Sequence, residues 1–83
     1  MLTVPRVHLN GTSKDELVRQ LENACHAILQ AQAALAECAP NGRDYYPLGE
    51  GAINRASLEH AKRVAKLEEV REELQAIWEH VVG

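Results

Sequence analysis

The sequence predicts an all-α protein. Its expected form is an antiparallel two-helix hairpin with a short extended N-terminal arm, assembling as a homo-oligomeric helical bundle. Three observations lead there. Apolar residues recur every three or four positions through two long stretches, the period of a helix rather than a strand. One cluster of turn-forming residues, Pro40-Asn41-Gly42 through Pro47-Leu48-Gly49, separates them. The chain has 83 residues, no Phe and one Trp, so a lone hairpin would bury little apolar surface, and self-association is the simplest remedy.

A single domain is expected, with an arm at 1–11, helix 1 at 12–39, a loop at 40–50 and helix 2 at 51–82. In the arm, Val4, Val7 and Leu9 together with Pro5, Asn10 and Gly11 suggest extended chain or a short strand. Helix 1 opens on a capping-box signature, Ser13 followed by Glu16 three residues later. Leu17, Leu21, Ala24, Ile28, Ala31, Leu35 and Cys38 then form a heptad seam. Asn41 or Gly42 suits a left-handed cap at its end.

Helix 2 carries its own seam: Ile53, Ala56, His60, Arg63, Leu67, Val70, Leu74, Ile77 and Val81, with Val64 and Trp78 widening the stripe. Such a stripe exceeds what one partner helix covers, which again predicts a bundle of several copies.

Composition narrows the function. A formal charge of −3 argues against a general nucleic-acid coat. No stretch is apolar enough to span a bilayer, and the N-terminus lacks the features of a secretion signal, so a cytoplasmic protein is expected. Cys25 and Cys38 would stand roughly 20 Å apart on one helix, too far for a disulfide within one chain. They read as small core residues. No metal site, cofactor or catalytic residue is predicted: His26 and His80 lack a second ligand at metal spacing, and Ser57 and His60 lack the third group a nucleophile needs.

The candidate site lies at the loop end, where the heptads turn polar at His60 and Arg63. Arg55, Lys62, Arg63 and Lys66 crowd the first half of helix 2, whereas Glu68, Glu69, Glu72, Glu73 and Glu79 occupy the second. This layout opposes the helix dipole, with Arg55–Glu59 and Lys66–Glu69 as local compensating pairs. Adding Arg43 gathers five cations near a positive helix terminus, a combination suited to phosphate. Tyr45 and Tyr46 complete it, able to stack on a base and to hydrogen-bond a ribose. The expected ligand-binding residues are Arg43, Tyr45, Tyr46, His60, Arg63 and Arg55. Ala27, Ala31, Ala33, Ala34 and Ala36 are expected opposite His60 and Arg63, leaving a shallow groove.

The layout resembles small phage and prophage proteins made of a helical hairpin with an Arg-Asp-Tyr-Tyr-Pro turn, here Arg43 to Pro47. In broad architecture it is also similar to phage anti-defence proteins that sequester cyclic nucleotide signals. That resemblance implies a non-enzymatic, oligomeric protein whose pockets lie between subunits. The expected ligand is then a phosphorylated small molecule such as a cyclic nucleotide. The alternative is an interaction module that inhibits a host protein through its acidic helix face and loop tyrosines.

Overall fold

The computed structural model describes all residues 1–83 and is all-helical, with no strand. Helix α1 spans Lys14–Glu37 and α3 spans Ala52–Val82, packed side by side as an antiparallel pair. Between them lie a four-residue helix, α2 (Gly42–Tyr45), and a 3-10 turn at Tyr46–Leu48. Residues 1–8 form neither helix nor strand, and a turn at His8–Gly11 leads into α1.

Helix α1 begins where its cap residues place it. The Ser13 hydroxyl accepts a hydrogen bond from the Glu16 amide at 3.2 Å. Its partner carboxylate turns outward instead of closing the box, and bonds Arg19 and Gln20. The helix ends at Cys38 without a left-handed residue. Asn41 and Gly42 do different work from the expected cap: Asn41 caps α2 by accepting from the Asp44 amide, and Gly42 is that helix's first residue. The left-handed positions fall later, at Gly49 (φ 98°) and Gly51 (φ 85°), where a side chain would strain the backbone. Gly51 is the residue from which α3 starts.

Two side-chain bonds fix the register of the pair. Gln32 bonds Glu68 and Trp78 bonds Glu22, so each residue of α1 lies level with a defined residue of α3. By that register the end of α1 is level with about Arg63, and α1 covers only the later two-thirds of α3. The first three turns of α3 pack instead against α2 and the 3-10 turn. Ala31 therefore lies level with Glu69, not with His60. The Ala-rich wall expected opposite His60 is absent, because α1 stops before reaching it.

The seam itself is shifted in places. Leu17, Leu21, Ala24, Ile28 and Leu35 are at least half-buried, but Gln32 takes the place expected of Ala31, and Cys38 is exposed. On α3, Arg71 rather than Val70 faces inward, Arg63 is exposed, and Trp78 lies in the seam. A polar cluster explains the shift. Gln32 donates to Glu68 at 2.7 Å, and Arg71 donates to the same carboxylate through Nε at 3.0 Å and through Nη2. Three polar groups that satisfy one another can replace apolar residues in a half-buried seam at little net cost.

The fold is thin. Only Ala52, Ala56 and Val81 are buried, and the accessible surface is 6454 Å². A compact chain of 9.2 kDa would expose roughly 4,900 Å². The radius of gyration is 18.3 Å, against about 12 Å for a globular chain of this length. No helix is long and apolar enough to cross a membrane.

Candidate functional site at the loop end

The site is built from the loop's packing on α3. Gly49 and Gly51 turn the chain sharply between the 3-10 turn and α3, so that α2 doubles back beside the first turns of that helix. Ala52 and Ala56, in the first turns of α3, are buried. Tyr45 is half-buried, whereas Tyr46 is 80% exposed. Between loop and helix lies an open cavity of about 470 Å³, lined by Gly42, Tyr45, Tyr46, Gly49, Glu50, Gly51, Ile53 and Asn54. Its volume falls within the range of small-molecule sites.

One wall of this cavity is the N-terminus of a 31-residue helix. No side chain caps that terminus. The Ala52 amide bonds the Gly49 carbonyl at 3.4 Å and the Arg55 amide bonds the Gly51 carbonyl at 3.1 Å, while the Ile53 and Asn54 amides have no acceptor in the chain. Two free donors at the positive end of a helix dipole attract an anion. Glu50 is the one acid in the lining and opposes it.

The cations are placed around this cavity rather than in it. Arg43, in α2, is exposed and adjoins the lining residue Gly42. Asp44 does not pair with it; that carboxylate accepts from the Asn41 side chain at 2.9 Å. Arg55 is exposed and reaches back over Gly51, where a Cβ would meet its Nη1 at 3.4 Å. His60 is half-buried about 10 Å along α3 from Ile53, and exposed Arg63 lies about 15 Å along. The structure thus brings Tyr45, Tyr46, Arg43 and Arg55 to one place. His60 and Arg63 lie further up the helix.

None of Arg43, Arg55, Lys62, Arg63 and Lys66 makes an ion pair in the chain. The expected local pairs, Arg55–Glu59 and Lys66–Glu69, do not form. The two ion pairs present, Arg19–Glu16 and Arg71–Glu68, both lie on the part of the hairpin where α1 covers α3.

A second cavity, about 240 Å³, lies between the long helices and is lined by Glu22, Cys25, His26, Leu29, Gln75 and Trp78. Its lining mixes Cys25, Leu29 and Trp78 with Glu22, His26 and Gln75, and it carries no Lys or Arg. Two of its lining residues are bonded to each other, Trp78 donating from Nε1 to Glu22 at 3.1 Å. Both cysteines are free, and no cluster of His, Cys, Asp and Glu is arranged to hold a metal ion.

The Glu68 cluster was invisible to apolar periodicity. Its hydrogen bonds from Arg71 and then Gln32, with the nearby guanidinium charge, hold the Glu68 carboxyl at about 2, far below its usual value. The same bond raises Arg71. The only hint in the sequence was spacing: Ile28, Gln32 and Leu35 fit a helical face as well as Ile28, Ala31 and Leu35 do. Compared with protein-family models, with curated proteins and with solved structures, the chain matches none.

Proposed function

We propose that this chain is a non-enzymatic, cytoplasmic binding protein that takes a phosphorylated small ligand, such as a cyclic nucleotide, at its loop end. Sequestration of the signal, as in phage counter-defence, is the role this chemistry fits. The observation that carries the reading is the loop cavity, with the uncapped Ile53 and Asn54 amides in one wall and Tyr45 and Tyr46 in another. The amides take a phosphate oxygen. Exposed Tyr46 offers a ring to a base. Arg43 and Arg55, free of acidic partners, close on the phosphate from the rim. Arg63 contributes attractive field from further along α3, where His60 offers a hydrogen-bond donor. The open form of the cavity and the large exposed surface of one chain support a homo-oligomer, in which neighbouring copies supply the missing walls.

The test is a thermal-shift screen against cyclic dinucleotides, cyclic trinucleotides and cyclic ADP-ribose isomers. A ligand that binds only the folded state raises the melting temperature. The wild type is expected to shift by several degrees and Arg43→Ala not at all, with the same basal melting temperature. No shift with any of these ligands, from protein free of co-purified nucleotide, overturns the reading.

One observation favours a second reading. Glu69, Glu72, Glu73 and Glu79 are all exposed and none has a basic partner. An acidic ridge of this kind suits the basic surface of a host protein, with Tyr46 as an interface anchor.

A further inference from the structure

We infer that α3 is the dimerisation surface of this protein: its outer face pairs with the same face of a second copy, antiparallel, about a two-fold axis between Leu67 and Glu68. This deepens the assembly part of the reading above and does not depend on the ligand.

The charge pattern specifies the pairing. Lys62, Lys66, Glu69 and Glu73 recur at helical spacing and share one stripe of α3. All four are exposed, and none is bonded within the chain. Leu67 is the midpoint of the helix Ala52–Val82. Under a two-fold axis beside it, Lys66 meets Glu69 of the second copy and Lys62 meets Glu73 of the second copy. Symmetry repeats both contacts, and the two helices overlap along their whole length.

The alternatives are disfavoured by the same residues. In a parallel pair each charge faces its own copy. Slipping the antiparallel pair by one heptad sets Glu69 against Glu73 in one direction and Lys62 against Lys66 in the other. Like charges facing each other select against wrong registers more strongly than single ion pairs stabilise the right one. Affinity comes from the borders of the stripe. Leu58, Ala65 and Ala76 run along one side and Val70 and Ile77 along the other, with Leu58 66% exposed and Val70 48%. The chain exposes over a thousand Å² more than a compact one of its mass, and a standard interface removes about 800 Å² from each partner. The antiparallel arrangement also sets each loop cavity level with Val82 and Gly83 of the second copy, at opposite ends of the dimer.

The experiment uses two charge-reversed chains, K62E/K66E and E69K/E73K, studied by sedimentation velocity and circular dichroism. Wild type is expected to sediment at twice 9.2 kDa. Each variant alone presents a stripe of one sign and should self-associate at least tenfold more weakly. Mixed in equal amounts they should form a heterodimer, since every contact is then again between opposite charges. Should either variant lose helicity alone, recovery of helix and dimer on mixing supports the inference equally, and failure to recover overturns it. A wild type that stays monomeric, variants that dimerise as wild type does, or a mixture that does not pair would each overturn it. The ligand response of the wild type is read separately, so loss of one claim leaves the other standing.

Discussion

The two parts of α3 are held in different ways. From about Arg63 onward the helix is covered by α1 through half-buried Leu, Ile and Trp side chains, a polar cluster at Glu68 and a side-chain bond from Trp78. Before that point it is covered by a loop, and only two alanines are buried beneath. Both ion pairs of the chain lie in the covered part, Arg71 with Glu68 and Arg19 with Glu16, while Lys66, Glu69, Glu72, Glu73 and Glu79 stay unpaired on its exposed side, away from any cavity. In the loop-covered part Arg43 and Arg55 are unpaired, two amides are free and a tyrosine stands in solvent. Groups already satisfied within a chain hold the chain together. Unsatisfied groups around a cavity are available to something else, and this contrast directs attention to the loop.

The largest expected effect falls on the covered part. Trp78→Ala removes the main aromatic contact and the bond to Glu22, and for a half-buried Trp should cost about 2 kcal/mol, read as a lower denaturation midpoint. Tyr46→Ala, at an 80% exposed position, should change stability by less than about 0.5 kcal/mol while weakening ligand binding. Equal destabilisation by the two would erase the distinction. Ser13→Ala removes the cap of α1 and should cost about 1 kcal/mol without touching the ligand response.

The pH dependence sharpens the comparison further. Glu68 has a folded value of about 2 against an ordinary 4.5. A depressed carboxyl stabilises the fold above its unfolded value, and that contribution is lost as pH falls from about 4.5 through about 2. Arg71→Met should flatten stability against pH across this window, as measured by denaturation at stepped pH. An unchanged slope would remove Glu68 from the account. Smallest of all is Glu50→Gln, which removes the one opposing charge from the loop cavity and should tighten binding of a phosphorylated ligand a few-fold, while costing no more than about 0.5 kcal/mol of stability through the lost charge near the N-terminus of α3.

Helix α1 was legible in the sequence because its start is punctuated by local chemistry, Ser13 with Glu16, and α3 because apolar residues recur along it every three or four positions. The early seam of α1 was legible because Leu17, Leu21, Ala24 and Ile28 keep the three-four spacing without a break, and the spacing prefers Ile28 to its apolar neighbour Leu29, which is exposed. At Ala31 and Gln32, and again at Val70 and Arg71, two adjacent residues fit the period. One carboxylate settled both choices in favour of the polar residue: Glu68 accepts from Gln32 across the interface and from Arg71 on its own helix, and apolar pattern carries no record of partners. The lengths also hid a tertiary fact. With 24 residues against 31, α1 leaves part of α3 to the loop, so His60 lies beyond the end of α1 and not opposite an alanine groove. The grouping of Arg43, Tyr45, Tyr46 and Arg55 was visible because they lie close in sequence to the turn. The free amides of Ile53 and Asn54 were not, since a missing cap depends on how Gly51 turns the chain.

The most direct test of the loop site is a backbone amide titration by nuclear magnetic resonance, adding the nucleotide that gives the largest thermal shift, or cyclic di-AMP as the default probe. The account predicts shifts concentrated from Gly42 to Asn54, with the Ile53 and Asn54 amides moving furthest as they acquire a phosphate acceptor. No movement there, or movement confined to Glu69–Glu79, would contradict it.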